Sequence, residues 1–229
     1  MNIAVVIPAL NEAQCLPELI AAIPHESSDW VDVIVVDNGS TDATAAVALA
    51  AGARVVSEPR RGYGYACAAG VNAVRDAETI VFLDGDYSFD PAEMPVLLAP
   101  LRAGVADMVL GSRLLEQAGG LRASMLMHQR FGNWLAASIL RVLYQLRVTD
   151  LGPYRAVRAD LLRTLDMREM TYGWPTEMIV KAVGRGARIV ETPVSYRPRL
   201  AGKSKVSGTV KGSVLAAYFI LRTTFKYAF

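Results

Sequence analysis

The chain has 229 residues, of which 52% are hydrophobic and 20% are charged. This composition excludes a disordered chain, a collagen-like repeat and a disulfide-stabilised scaffold, and the length suffices for one large domain with a substantial core. The cysteines, Cys15 and Cys67, form no metal-binding motif, so we expect no zinc site and a reducing, cytoplasmic environment. We also expect no secretion signal and no membrane-spanning helix, because the longest uncharged stretch, 62–74, is shorter than the roughly 20 residues that a span requires.

The net charge of +2 conceals an uneven distribution of charge along the chain. No acidic residue follows Glu191, whereas basic residues continue to the end: Arg197, Arg199, Lys203, Lys205, Lys211, Arg222 and Lys226. A basic end indicates a polyanionic partner, such as phosphate groups, a lipid surface or nucleic acid. A solvated basic tail is the alternative.

Short apolar runs alternate with helical patterns over the first 112 residues. We predict strands at 3–7, 31–36, 54–57, 79–83 and 108–110, and helices at 12–23 and from a Ser40–Thr41 cap to Ala51. Strands that are apolar on both faces are typical of a parallel sheet covered by helices. We therefore predict an α/β fold with a mostly parallel central sheet and helices on both faces.

The pattern changes from residue 121 onward. We predict helices at 125–146, 175–184 and 209–227, a loop entering a strand at 150–158, and a strand at 189–196. No repeat and no long linker divides the chain, so we expect the second half to complete the first.

Polar residues recur where the predicted strands end. They follow four strands, at 8–12, 37–38, 84–86 and 111–113. Ligands of open parallel sheets bind at this edge. The recurrence therefore predicts a binding site there.

Asp84-Gly85-Asp86 places two carboxylates directly after a predicted strand. Such a pair can bind one divalent cation, and Mg²⁺ in particular combines one or two protein carboxylates with substrate phosphates. Asp37 similarly ends a strand and could accept hydrogen bonds from a base or a ribose. For both sites the alternative is a turn in which Asp bonds its own backbone.

Other motifs narrow the range of chemistries. Neither a dinucleotide-binding fingerprint nor a Walker lysine motif follows the first strand, and we expect structural or surface roles for His25 and His128. The segment 199–205 places Arg199 and Lys205 on a glycine-containing loop suited to phosphate oxygens, although a solvated loop has the same composition. Glu177 is expected to open a helix.

Together these segments resemble the A-type glycosyltransferases of family 2, and most closely the dolichyl- or polyprenyl-phosphate mannose and glucose synthases. The segments that carry the resemblance are Ile7-Pro8-Ala9-Leu10-Asn11-Glu12, Val35-Val36-Asp37-Asn38-Gly39-Ser40-Thr41-Asp42, Asp84-Gly85-Asp86, Gly111-Ser112-Arg113 and Arg199 to Lys205. The resemblance implies a single GT-A (Rossmann-like) domain over 1–229, with a nucleotide-sugar-binding half at 1–113 and an acceptor-binding half at 114–229.

The resemblance also implies a role for each matching residue. The nucleotide-sugar site would consist of Pro8, Leu10, Glu12, Asp37, Asp84, Gly85, Asp86, Arg199 and Lys205. Asp84 and Asp86 would hold Mg²⁺ or Mn²⁺, and Arg113 and Arg130 would meet the acceptor phosphate. Asp86, Arg113 and Glu177 are the expected catalytic residues.

The implied reaction moves a hexose from GDP-mannose or UDP-glucose to a polyprenyl or dolichyl phosphate, with inversion. A phosphate acceptor needs no general base, whereas a hydroxyl acceptor would need Glu177 or Asp150 in that role. Ser88 replaces a Gln of the mannose synthases, and the transmembrane helices of some members are absent. We therefore expect a peripheral position on the inner face of the membrane, or a membrane-anchoring partner, and no nucleic acid partner.

Three alternatives remain open. The acceptor can be a soluble hydroxyl compound or a phosphorylated small molecule. The protein can be a nucleotidyltransferase, although the glycine- and lysine-rich loop of that class is missing after the first strand. A non-enzymatic carbohydrate- or lipid-binding module is the third.

Overall fold

The computed structural model describes residues 1–25, 29–115, 127–202 and 210–228. The strands are β1 (Asn2–Ala9), β2 (Trp30–Asp37), β3 (Arg54–Ser57), β4 (Thr79–Phe82), β5 (Met108–Ser112), β6 (Arg155–Arg158) and β7 (Ile189–Pro193). The helices are α1 (Leu16–Ala21), α2 (Thr44–Ala50), α3 (Tyr63–Ala73), α4 (Met94–Arg102), α5 (Met127–Tyr144), α6 (Ala159–Thr164), α7 (Trp174–Gly184) and α8 (Val210–Lys226).

The strands form one seven-stranded sheet in the order β3-β2-β1-β4-β6-β5-β7. Neighbouring strands are parallel except at β6, which runs antiparallel to both β4 and β5. The sheet contains strands from both halves of the chain. The mostly parallel α/β fold predicted from the sequence is confirmed.

Two hydrophobic layers cover the sheet because the central strands are apolar on both faces. In β1, Ile3, Val5 and Ile7 pack into the layer that includes α1, α2 and α4, and Ala4 and Val6 pack into the opposite layer with α3, α5, α6 and α7. The α8 helix packs against α5 and α7. Within the described ranges, no helix is both long and apolar enough to cross a membrane.

Several element bounds differ from the sequence predictions. The predicted helix at 12–23 is restricted to Leu16–Ala21, and the predicted strand at 189–196 ends at Pro193. Ser40 and Thr41 do not cap α2, which begins at Thr44, because both residues bond Asn11 instead. The sequence analysis did not predict α3, α4 and α6. Of the predicted helices at 125–146 and 209–227, residues 125, 126 and 209 lie outside the described residues.

Candidate active site

Three turns at the carboxyl ends of β1, β2 and β4 lie together, and we call residues 8–12, 37–44 and 84–86 the turn cluster. The turn after β1 bonds the turn after β2 through Asn11 N to Ser40 Oγ (2.9 Å), Thr41 N to Asn11 Oδ1 (2.7 Å) and Glu12 N to Thr44 Oγ1 (2.9 Å). Asn11 has a φ of 53°, in the left-handed region that Asn tolerates better than most residues. The Asn-Glu sequence after β1 thus serves first to join two turns.

Gly85 brings the third turn against the first. A Cβ at Gly85 would lie 3.3 Å from Pro8 O and 3.5 Å from Glu12 Cγ, so a larger residue would displace this contact. The predicted nucleotide-sugar residues Pro8, Leu10, Glu12 and Asp37 therefore lie in turns that contact the Asp84–Asp86 turn or one another. Pro8, Leu10 and Asp37 are partly exposed, whereas Glu12 is buried.

Of the two roles considered for Asp37, the hydrogen bonds show the turn, and its role toward a nucleoside stays a prediction. Asp37 Oδ1 accepts from Ser40 N at 2.9 Å, which is the Asx turn that the sequence analysis weighed. Next to it, Asn38 is buried and binds the segment before α3 through Glu58 O (2.9 Å), Arg60 O (2.7 Å) and Gly62 N (3.0 Å). Asn38 therefore positions the start of α3, where Tyr63 stands.

The two aspartates of the turn cluster have different surroundings. Asp84 Oδ1 accepts a hydrogen bond from the Tyr63 hydroxyl at 3.2 Å. Asp86 Oδ1 accepts from Ser88 N at 3.0 Å, while Asp86 Oδ2 lies 3.8 Å from Arg199 Nη1. Desolvation and the neighbouring charge of Asp86 raise the pKa of Asp84 to about 7, against the lowering effects of Tyr63, Arg113 and Arg155.

This donor set fits a divalent cation. Carboxylate oxygens are the ligands that Mg²⁺ and Mn²⁺ prefer, and a carboxyl whose pKa is raised by desolvation and by a neighbouring carboxylate is stabilised in its charged form by a bound cation. No group of three or more His, Cys, Asp or Glu able to hold a metal ion occurs within the part of the chain that the structure describes. A cation here would therefore complete its coordination with oxygens from outside the protein, as Mg²⁺ does with phosphates.

Arg199 joins the loop after β7 to the turn cluster. Its Nη2 lies 2.6 and 2.8 Å from the two carboxylate oxygens of Glu12, and Leu200 N donates to Asp86 O at 3.2 Å. Arg199 therefore lies beside the Asp84–Asp86 turn, as expected. Lys205, its expected companion, lies outside the described residues.

A second charged group, which we call the arginine clamp, consists of Arg113, Thr149, Asp150 and Glu191. Asp150 is fully buried and receives three hydrogen bonds from Arg113: from N (2.9 Å) and Nε (2.7 Å) to Oδ2 and from Nη2 (2.7 Å) to Oδ1. The guanidinium also lies 5.1 Å from the centroid of Tyr196 and 6.0 Å from that of Phe89. Arg113 is thus a fixed cation whose field reaches Asp84.

The model of glycosyl transferase family 2 matches residues 4–166 of this chain. The chain belongs to this family. It is therefore a glycosyltransferase with the GT-A fold, as the resemblance of its motifs implied.

Relatives of this family 2 enzyme span nearly its whole length. An uncharacterised glycosyltransferase of Mycobacterium tuberculosis (strain ATCC 25618 / H37Rv) is 42% identical over 214 residues, which are 93% of this chain and 94% of the relative. The undecaprenyl-phosphate mannosyltransferase of Micrococcus luteus is 32% identical over 230 residues, covering 94% of this chain and 91% of that protein. Among solved structures, glucosyl-3-phosphoglycerate synthase of M. tuberculosis with Mn²⁺, UDP and phosphoglyceric acid has a TM-score of 0.78 at 24% identity, over 99% of this chain and 78% of that one.

Glu177, an expected catalytic residue, lies in a different network. It is fully buried in the first turn of α7, where Oε2 accepts from Arg168 N (2.9 Å) and Glu169 N (2.7 Å), and Oε1 bonds the Tyr227 hydroxyl (2.5 Å) and Lys181 Nζ (2.8 Å). Burial opposes ionisation, but the bonds from Lys181, Tyr227 and the backbone keep the pKa of Glu177 below its usual value. The structure thus engages both carboxylate oxygens in holding the segment after α8 against α7, and a catalytic role for Glu177 stays a prediction.

Arg130, expected at the acceptor phosphate, is exposed near the start of α5. Its helix does meet the clamp, because Asn133 Nδ2 donates to Thr149 O (2.7 Å) and Asn133 Oδ1 accepts from Leu151 N (3.0 Å). Arg130 itself is brought into contact with no other candidate residue among those the structure describes. Its role at an acceptor stays a prediction.

Tyr63 and Arg155, which lie beside Asp84, were not predicted as site residues. Arg155 is only 2% exposed, bonds Pro175 O at 2.8 Å, and lies close enough to Asp84 to lower its pKa. A charged residue that opens the apolar run Ala156-Val157 was a usable indication of a buried charge partner. Tyr63 gave no comparable indication, because its contact with Asp84 depends on how α3 packs on the sheet.

Proposed function

We propose that this enzyme transfers a hexose from a nucleotide sugar, GDP-mannose or UDP-glucose, to a polyprenyl phosphate. The observation that carries the proposal is that the site contains two groups of opposite charge, one suited to a cation and one suited to an anion. The turn cluster presents two carboxylates for a cation and a diphosphate, and the arginine clamp presents a fixed guanidinium for a second anion. The polyprenyl-phosphate relative supports the lipid acceptor.

The donor half of the reaction follows from the turn cluster. The turns at 8–12 and 37–44 would hold the nucleoside, while Arg199 stabilises the negative charge that develops on the leaving diphosphate. A divalent cation held by Asp84 and Asp86 would supply Lewis-acid stabilisation of that same leaving group. Arg199 bonds Glu12 through Nη2, and its Nη1, which lies 3.8 Å from Asp86 Oδ2, is the group we assign to the diphosphate.

The acceptor half needs no general base. A phosphate monoester is ionised at neutral pH, so its oxygen attacks the anomeric carbon directly, opposite the departing diphosphate, with inversion. Arg113 would hold that phosphate, since Arg pairs well with phosphate oxygens. Asp150 is occupied by Arg113 and Glu177 is buried, which argues against a hydroxyl acceptor that would require either as a base.

A lipid acceptor also requires a place where the protein meets the membrane, and we propose α5 and α8 for it. The two helices contact each other and expose large apolar side chains: Phe131, Trp134, Val142, Leu215, Tyr218 and Phe225. No acidic residue occurs at 117–149 or after 191, whereas Arg130 and Arg222 are exposed there. Interfacial aromatic residues beside cations are typical of a surface that lies on an anionic membrane.

The test is sugar transfer with purified protein. Labelled GDP-mannose and UDP-glucose are each offered with a polyprenyl phosphate or with 3-phosphoglycerate, in Mg²⁺, Mn²⁺ or chelator. We expect cation-dependent label in the organic phase with one donor. Label in phosphoglycerate alone would replace the lipid acceptor with a soluble phosphorylated one, and donor binding without transfer to either would contradict both acceptors.

A further inference from the structure

The loop between α5 and β6 is fastened from the side of β7 by one carboxylate. Glu191 Oε2 accepts from Thr149 N at 2.8 Å, and Oε1 accepts from the Thr149 hydroxyl and from Asp150 N, both at 2.9 Å. Glu191 is half-buried and is the one acidic residue of β7. Three hydrogen bonds to a single carboxylate are more than the turn needs in order to follow its path.

The same loop is fastened from two further sides. Thr149 Oγ1 lies 2.8 Å from Ser112 Oγ at the end of β5. On the opposite side, the amide of Asn133 in α5 bonds both Thr149 O and Leu151 N. Thr149 is therefore joined to β5, β7 and α5 although its side chain is exposed.

The residue held by these contacts is Asp150, whose carboxylate in turn holds Arg113. Asp150 receives the backbone N, Nε and Nη2 of Arg113 and is fully buried. A free arginine side chain samples many rotamers, so three bonds to one buried carboxylate fix where its charge lies. The position of that charge then depends on the position of the 149–151 loop.

We propose that Thr149 and Glu191 are positioning residues that set the Arg113 guanidinium for the acceptor anion, acting through Asp150. This inference rests on the proposed function, in which Arg113 holds the acceptor phosphate. Thr149 and Glu191 touch neither substrate in that scheme. Outer partners that orient metal-ligating side chains change metal affinity or activity about 10- to 100-fold when altered, and we expect an effect of this order here.

The discriminating experiment compares Thr149→Val with Thr149→Ser. Val has the shape of Thr but no hydroxyl. It therefore loses the side-chain bonds to Ser112 Oγ and Glu191 Oε1, whereas its backbone N can still donate to Glu191 Oε2. We expect Thr149→Val to raise the acceptor KM about tenfold and to leave the donor KM unchanged. Thr149→Ser, which keeps a hydroxyl, should have the acceptor KM of the wild-type enzyme. An equal rise in both KM values, or a rise in Thr149→Ser as large as in Thr149→Val, would overturn the inference.

A double-substitution cycle then asks whether the effect passes through Arg113. In an Arg113→Lys background, which lacks the two-pronged pairing with Asp150, Thr149→Val should add little to the acceptor KM. Full additivity would show that Thr149 acts independently of Arg113 and would contradict the proposal. Glu191→Gln should behave as Thr149→Val does, because an amide nitrogen replaces one acceptor oxygen.

A spectroscopic measurement decides the positioning role even if the proposed acceptor is wrong. In the unliganded wild-type protein, the Arg113 guanidinium bonds Asp150 through both Nε and Nη2, so it should rotate slowly and its Hη protons should give separate signals in ¹H–¹⁵N NMR spectra. The signals are assigned by their loss in Arg113→Lys. Thr149→Val and Glu191→Gln should merge those signals, while Thr149→Ser keeps them apart. Signals that stay separate in both variants would refute positioning whatever the enzyme transfers.

Discussion

The turn cluster and the arginine clamp hold their charges in opposite ways. In the turn cluster, desolvation and the neighbouring charge of Asp86 raise the pKa of Asp84 to about 7. In the clamp, the charge of Arg113 is paired with Asp150 before any ligand arrives. In the proposed function, a bound cation would therefore stabilise the turn cluster, whereas the charge of the clamp is already paired before an acceptor arrives.

The variant with the largest expected effect is Asp86→Asn, which tests whether the turn cluster binds a cation. The change removes one of the two carboxylates without altering the shape of the turn, so we expect kcat to fall about 1000-fold, on the scale that loss of charge stabilisation costs other enzymes. Steady-state transfer assays measure the effect. Asp90→Asn is the matched control, because Asp90 pairs with Arg197 outside the turn cluster; an Asp86→Asn enzyme as active as that control would sink the cation assignment.

Glu177→Gln tests whether the Glu177 carboxylate has a structural role or takes part in catalysis with the turn cluster or the clamp. It removes a buried partner of Lys181 and Tyr227, so we expect unfolding to become easier by about 3 kcal/mol with little change in kcat of the folded enzyme. Urea unfolding followed by circular dichroism measures the loss, with exposed Glu78→Gln as the control. A large drop in kcat with unchanged stability would instead restore Glu177 as a catalytic residue.

Arg113→Lys tests the clamp directly. Lysine keeps the charge but cannot bond both oxygens of Asp150, so we expect the acceptor KM to rise about 30-fold and the donor KM to stay within about twofold. The control is Arg188→Lys, because Arg188 forms an exposed ion pair with Asp107. If the donor KM rises as much as the acceptor KM, the clamp serves the diphosphate and the proposed division of the site is wrong.

The two regions also differ in how far the sequence predicted them. The location of the turn cluster was predicted, because its residues lie at or shortly after the carboxyl ends of strands and the edge where parallel strands end is a property of the fold class. In the clamp, Arg113 was predicted as an acceptor-phosphate residue and Asp150 as a candidate base for a hydroxyl acceptor, whereas the pairing of the two and the contacts of Thr149 and Glu191 were not predicted. Asp150, which pairs with Arg113, stands 37 positions later in the chain, and Glu191, which binds the backbone N of Asp150, stands 41 positions after that. These residues come together because β6 runs antiparallel between β4 and β5, a reversal that no local pattern indicates.

Glu177 illustrates the same limit. Its place at the start of a helix was predicted, and the helix is there. Its function was not predictable from that position, because its partner Tyr227 comes 50 residues later, after α8 has packed against α7. Local sequence thus fixed the helix terminus, whereas tertiary packing determined whether the carboxylate met solvent.

A pH titration measures the pKa of Asp84 in the turn cluster. The pKa of Asp84 near 7 lies above its ordinary value of 3.8, so the carboxyl is protonated below pH 7 and ionised above it. Ionisation in the folded state is therefore unfavourable, and in the metal-free protein the free energy of unfolding should fall as pH rises from about 4 through 7. ¹³C NMR of the Asp84 carboxyl, assigned by Asp84→Asn, should show this titration and a lower pKa in Mg²⁺; a pKa near 4 without metal would contradict it.

The smallest expected effect concerns the surface beyond the clamp. Trp134 is 60% exposed and lies 5.8 Å from Phe131, centroid to centroid, so replacing it would remove apolar surface from the proposed membrane contact and little core packing. We expect Trp134→Ser to weaken sedimentation with anionic vesicles several-fold and to raise the KM for a long polyprenyl phosphate, but not for a short, water-soluble one. Trp30→Ser, 54% exposed at the start of β2, is the control. Because Asn133 joins this helix to the clamp, an equal effect on both acceptors would mean that Trp134 acts through Arg113 rather than through the membrane.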